Sequence, residues 1–207
     1  MRERFFLGML LAACLALIVG CGPAPTPAPQ APPTPAAAVK EVAPPTPWKA
    51  DGLISEGEYP HKTEVAGVEF HWSNDDSYLY AAMSAETSGW VAVGFDPEDR
   101  MKGANYVLGY VKDGEVFIQD MFGVKPTGPG SHPPDEELGG TNDILKYAGR
   151  EEGGLTVIEF KIPLDSSDQY DKPLRSGGSY DLITALGPSD DFASRHVSRG
   201  YGQITID

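Results

Sequence analysis

The chain holds 207 residues, with 16 Lys+Arg against 30 Asp+Glu and a formal net charge of −14. That balance excludes a nucleic-acid binder, which needs a basic face, and a polybasic membrane-surface protein. Its two cysteines, Cys14 and Cys21, both precede residue 22, so the remainder has no internal disulfide, no thiolate metal site and no cysteine nucleophile.

A charged start, Arg2-Glu3-Arg4, leads into an apolar run over residues 5–19, which reads as a secretory signal occupying residues 1–20. A transmembrane helix would need ~20 apolar residues. The end of the run, Ile18-Val19-Gly20-Cys21, resembles a bacterial lipobox. Leu11-Ala12-Ala13-Cys14 resembles one too, but cleavage there would leave a short apolar core and an apolar new N-terminus. The resemblance implies cleavage before Cys21, a lipid on its thiol, and anchorage to the extracytoplasmic face of a bacterial membrane. Residues 21–47 follow as a linker: between Gly22 and Pro47 lie ten of the chain's 19 prolines, mostly among Ala and Thr. Such a segment favours polyproline II, about 3.1 Å per residue and so roughly 80 Å at full stretch. Without the signal the chain carries 14 Lys+Arg and 29 Asp+Glu, net −15.

Residues 48–207 suffice for one core. Period-two alternation predicts strands over 64–73, 78–85, 90–95, 105–111, 115–122, 144–149, 155–162, 180–185 and 202–206. Asn74-Asp75-Asp76, Asp113-Gly114 and Glu152-Gly153-Gly154 supply turn chemistry between them. Short strands so punctuated predict an all-β fold, an antiparallel immunoglobulin-like β-sandwich. Two segments interrupt the meander: a polar loop over 96–104 with Met101 in its middle, and a Gly/Pro-rich loop over 123–143, long enough to be either functional or mobile.

Several motifs in order resemble the DOMON family over most of residues 51–207. Asp51-Gly52-Leu53-Ile54-Ser55-Glu56-Gly57-Glu58-Tyr59 is similar to the "DG-x-I-x-x-G-E-Y/W" start of secreted members, family 9 carbohydrate-binding modules among them. Gly89-Trp90-Val91-Ala92-Val93-Gly94-Phe95 is similar to the "GW-x-A-x-G-F" strand, with Met101 a short distance on. Val107-Leu108-Gly109-Tyr110 and Val116-Phe117-Ile118-Gln119-Asp120 resemble the paired strands that come next. Arg195-His196-Val197-Ser198-Arg199-Gly200 resembles the "H-x-x-R-G" segment of haem-binding members.

In the cytochrome branch of that family, which includes the cytochrome domain of cellobiose dehydrogenase, a haem b sits at one end of the sandwich between a methionine and a late histidine. The resemblance therefore implies Met101 and His196 as axial ligands, with both loops brought to one end. Thioether and imidazole both suit haem iron. Arg195 and Arg199 flank the histidine and suit haem propionates through charge-assisted bonds. Covalent attachment is excluded, since no C-x-x-C-H occurs. A related branch of molybdoenzyme subunits uses methionine with lysine, which leaves Lys102 as a competitor to His196. His61 reads as a surface residue, and His71 as a strand residue between Phe70 and Trp72. His132 sits in the 123–143 loop, within conceivable reach of a metal but without an assigned role. Met83 and Met121 read as strand packing.

The function implied is electron transfer to a redox partner protein, a c-type cytochrome or an oxidoreductase, rather than catalysis: there is no G-x-S-x-G, and Asp135-Glu136-Glu137 reads as a solvated acidic loop. The alternative is a haem-free module binding carbohydrate or another small ligand through aromatics, with Trp48, Trp72, Trp90 and the tyrosines as candidates.

Overall fold

Alternation in the sequence becomes two antiparallel sheets. The computed structural model describes residues 47–207, so the signal, Cys14, the lipidation candidate Cys21 and the linker up to Thr46 lie outside the described residues. Among the described residues the order is β1 (His61–Val65), β2 (Val68–Asn74), β3 (Tyr78–Glu86), β4 (Val91–Phe95), β5 (Asn105–Lys112), β6 (Glu115–Phe122), a single helical turn α1 (Asp135–Leu138), β7 (Lys146–Glu152), β8 (Leu155–Pro163), β9 (Ser179–Leu186) and β10 (Ser198–Thr205). One sheet runs β1-β2-β3-β8-β7 and the other β10-β9-β4-β5-β6. The expected all-β sandwich is what forms.

Ten strands stand where nine are expected. The 64–73 segment is a hairpin, because Ala66 and Gly67 both take positive φ, 55° and 84°. Consecutive left-handed residues make the primed two-residue turn that matches strand twist. Alanine is a poor signal for such a turn, which is why the break escapes a reading of alternation. β10 begins at Ser198 rather than near 202, and the helical turn α1 interrupts the 123–143 loop.

The main core lies between the sheets. Phe70 on β2 meets Phe95 on β4 edge-on at 6.0 Å, joining the two layers, and Phe160 on β8 is equally buried. Each such ring withdrawn from water contributes about 1.5–3 kcal/mol. Period two then fails in the second sheet for an informative reason. All five residues of β4 and the first seven of β5 are buried, so this sheet covers both of its faces. Val91, Val93, Phe95 and Val107 face the core, while Ala92, Tyr106, Leu108 and Ile183 belong to a separate apolar cluster on the outer side.

The Asp51-Gly52 start has a structural cause. Glu159 on β8 is fully buried and accepts hydrogen bonds from the Asp51 and Gly52 N–H groups, at 2.8 and 2.6 Å, and from the Tyr59 hydroxyl at 2.7 Å. Burial pushes the Glu159 carboxyl up, and these three donors oppose that shift. Gly52 sits at φ 80°, and a Cβ there would lie 2.9 Å from the Gly149 carbonyl carbon, so no other residue fits. Glu159→Ala strands three donors and is expected to destabilise the domain by about 3 kcal/mol, with Glu159→Gln losing about half as much. Urea denaturation measures both; equal midpoints for wild type and Glu159→Ala would remove the carboxylate from this role.

Candidate functional site

An apolar outer face needs a cover, and two chain segments supply it. Residues 123–134 return from the end of β6 and residues 187–197 join β9 to β10. Between them and the sheet opens a cleft of about 1030 Å³. Adjoining it, and sharing Trp90, Met101, Leu108, His132, His196 and Arg199 with it, is a smaller apolar recess lined also by Ala92, Tyr106, Ile183 and Ala185. Small residues make the room: Ala92 and Ala185 pair across β4 and β9, and a Cβ at Gly94 would run into the Tyr106 ring. An open cleft joined to an apolar recess suits a cofactor.

Met101, His196, Arg195 and Arg199 all line this cleft. The four residues singled out by motif, 98 positions apart at their widest, are therefore brought together. Their route differs from the expected one. Phe95 pairs with Leu182 at one end of β4, and Val91 pairs with Leu186 at the other. Met101 follows the Phe95 end and His196 follows the Leu186 end, so their loops leave opposite ends of the sheet and meet over its outer face. The expectation of one shared end rests on loop clustering in a plain sandwich; the doubly buried sheet draws both loops inward over itself instead.

Met101 is held on all sides. Its N–H donates to the Pro126 carbonyl at 3.3 Å, and its own carbonyl accepts from the Ala104 N–H at 3.4 Å. The Ser131 hydroxyl donates to its sulfur at 3.6 Å. Gly103 N–H to Gly123 O, 2.7 Å, and Gly123 N–H to Ala104 O, 2.9 Å, lock the 96–104 loop to the covering segment. On the other side the Trp90 indole N–H donates to the Ser194 hydroxyl at 2.9 Å, and Phe192 tilts against Tyr110 at 4.8 Å. These contacts fix the chain just before His196.

The electrostatics favour a neutral imidazole. Burial lowers the His196 pKa, and the Arg199 and Arg195 guanidiniums lower it further. Neither guanidinium has a carboxylate partner among the described residues, where Arg150 pairs with Glu152 and Arg175 with Asp165. Both are exposed at the rim, free to receive an anionic group.

Sequence reasoning gives His132 no role, yet it too lines the cleft. Its ring lies 5.6 Å from that of Tyr106, its buried Nδ1 has no hydrogen-bond partner, and burial, then His196, lowers its pKa. The signal available in sequence is the pair Pro133-Pro134, which stiffens the loop just after it. Met121 is buried in the cleft wall as well. The other histidines stand elsewhere. His71 is buried beside Glu69, 3.2 Å away, and His61 contacts Asp207 at 2.6 Å and stacks on Trp72.

The aromatic candidates for sugar binding are dispersed. Trp72 is in the main core, and Trp90 is buried beneath the cleft rather than in that core. Trp48 and Tyr80 lie 5.0 Å apart, but Lys146 sits over the first ring and Lys161 over the second.

The DOMON domain profile matches residues 63–187, which include β4, β5 and the Met101 loop. The chain belongs to the DOMON domain family. Relatives include DBH-like monooxygenase protein 1 of Mus musculus, 32% identical over 122 residues, covering 56% of this chain and 18% of that protein. MOXD1 homolog 1 of Drosophila melanogaster is 28% identical over 122 residues, covering 58% and 17%. The chain thus spans less than a fifth of either relative. Among solved structures, the DOMON domain is similar to the cytochrome b domain of pyranose dehydrogenase from Coprinopsis cinerea, with TM-score 0.49, 13% identity, and 66% and 75% of the two chains covered. It is also similar to a family 9 carbohydrate-binding module from Caldicellulosiruptor kristjanssonii in complex with glucose, with TM-score 0.44, 14% identity, and 79% and 93% covered.

Both cleft histidines of this DOMON domain are expected to titrate below the ordinary value of 6.5. A depressed histidine pKa adds stability that is present above the unfolded value and lost as pH falls through the folded one. Carbon-proton NMR titration reads this directly, and Arg199→Ala should move His196 back toward 6.5. A His196 that titrates above 6.5 would show that the guanidiniums do not face it.

Proposed function

We propose that this DOMON domain is an extracytoplasmic b-type cytochrome that holds haem non-covalently and passes electrons. One observation carries the reading: Met101 and His196, picked out by motif and far apart in sequence, line a single apolar cleft with Arg199 at its rim. The residues present fit the group. A thioether and a neutral imidazole are suitable donors to haem iron, the apolar floor suits a macrocycle, and the unpartnered guanidiniums suit its carboxylates. Haem held by Met101 and His196 would supply a one-electron centre at a potential raised by the thioether.

What the chain itself does is position and exclude. The 96–104 and 123–134 segments hold Met101 at the cleft, and the 187–197 segment holds His196 there. Leu108, Ile183 and Trp90 keep water from the interior. Arg195 and Arg199 would orient propionates toward solvent. Lipidation at Cys21 would tether the domain to the membrane, and the linker would give it reach. The surplus of carboxylates favours a basic partner such as a c-type cytochrome, through encounter rate rather than through affinity. A sugar-binding role finds less support, because the cleft floor offers few partners for hydroxyls and the outer aromatics lie under lysines.

Reconstitution of the purified protein with haem, followed by reduction, tests the reading. A sharp low-spin α band is expected. His196→Ala should lose haem or turn high-spin, while Met101→Ala should keep haem at a lowered potential. His71→Ala should match wild type. A high-spin spectrum in His132→Ala beside an unchanged one in His196→Ala would assign the nitrogen ligand to His132. Absence of haem uptake by wild type would overturn the proposal.

A further inference from the structure

At the end of the sandwich where β5 starts and β6 finishes, three carboxylates converge away from the haem cleft. Asp120 on β6, Asp135 opening α1 and Asp171 in the β8–β9 connection bring one oxygen each within 4.8 Å of one another. Asp120 is 1% exposed and Asp135 is fully buried.

Proximity alone would not make a site, but the hydrogen bonding is conspicuously incomplete. Neither carboxylate oxygen of Asp135 has a partner, nor does Asp120 Oδ1. Beside them Asn105, 4% exposed, donates its amide to Asp171 Oδ1 at 2.6 Å while its own buried Oδ1 accepts from nothing. A buried acceptor left unmade costs about 1–3 kcal/mol, and more when charged. The neighbouring Asp168 shows the contrast: it accepts from the Tyr170 and Thr141 amides and its carboxyl is held below the ordinary range. Among the described residues no ammonium or guanidinium pairs with the cluster. Lys172, adjacent to Asp171, turns to Glu98 at 3.0 Å instead. Burial, with the other carboxylates adding to it, pushes Asp120 up to about 8 and Asp135 up to about 7. Four inward oxygens thus lack anything positive to meet.

We propose that Asp120, Asp135, Asp171 and Asn105 form a structural site for a divalent cation, Ca²⁺. The donor set is all oxygen, three carboxylates and an amide carbonyl, which selects a hard cation over zinc or copper. Mg²⁺ keeps several waters and is usually held by one or two carboxylates, so a protein set of three carboxylates and an amide carbonyl favours calcium. The site ties β6 and the β8–β9 connection to the segment that ends the cleft cover: Asp135 follows His132 by three residues, and Pro133 O accepts the Phe122 N–H at 3.1 Å between them. This inference does not depend on haem.

Chelator-treated full-length protein, titrated calorimetrically with CaCl₂ and separately with MgCl₂, is the experiment. One Ca²⁺ per chain is expected, with weaker Mg²⁺ binding. A hundredfold excess of calcium over its Kd should raise the melting temperature by about 5–10 °C. Asp135→Asn should weaken calcium binding by more than the roughly 10–100-fold that loss of an outer-shell partner costs. In calcium-free buffer the same variant should melt at or above wild type, since it removes a repelling charge, which separates loss of the site from loss of the fold. Glu136→Gln, an exposed neighbour, should bind as wild type does. Two results would overturn the proposal: no calcium heat and no thermal shift in wild type, with stability rising only as pH falls from 8.5 to 6, which marks a protonated carboxyl cluster; or undiminished binding in Asp135→Asn.

Discussion

The second sheet must bury both of its faces, and most of the molecule's particular features follow from that demand. One face is served by the first sheet through Phe70, Phe95 and Phe160. The other carries Ala92, Tyr106, Leu108 and Ile183, too apolar to leave to water, with no third sheet among the described residues to cover them. Connecting segments do the work instead. Loops carry backbone polar groups that need partners, and this is where the Gly103–Gly123 and Gly123–Ala104 bonds come from. A cover made of loops packs less densely than a sheet, and the space it leaves is the cleft.

The same demand explains how Met101 and His196 come together. Loops leaving opposite ends of β4 would diverge if the outer face were polar. Here each is drawn inward, one delivering Met101 and the other His196. Ser131 and Ser194 then fix the two arms by side-chain hydrogen bonds, to the Met101 sulfur and from the Trp90 indole. A site assembled this way is held by the apolar face rather than by either loop alone.

How much of this is legible in the sequence differs by residue. The strands, the sandwich and the hairpin at Asp113-Gly114 follow from alternation and turn chemistry, because those signals are local. Met101, His196, Arg195 and Arg199 are legible only as fragments of motif; their meeting is a consequence of strand pairing, which no local pattern encodes. The Ala66-Gly67 turn is hidden because alanine seldom takes positive φ. His132 is hidden because a Gly/Pro-rich stretch reads as mobile, whereas Pro133 and Pro134 bond back to β6 and hold it in place. Asp135 is misread for a similar reason. Three consecutive acids read as a solvated loop, yet the first is fully buried and the next two are exposed.

Charge is therefore unevenly distributed over this small domain. The protein carries far more carboxylates than cations. Arg195 and Arg199 stand unpaired beside the cleft, where an anionic cofactor edge would find them. Asp120 and Asp135 stand buried without a basic partner at one end of the sandwich, where a cation would relieve them. The segment from 123 to 143 touches both places, placing Ser131 and His132 against the cleft and Asp135 in the acidic cluster. Ordering about twenty residues costs on the order of 20–40 kcal/mol of conformational entropy, so a cover with few buried apolar side chains of its own gains from being fixed at both ends. Attachment at Asp135 would supply the second fixed point, and order at the cleft would then depend on the chemistry at the far side of the same segment.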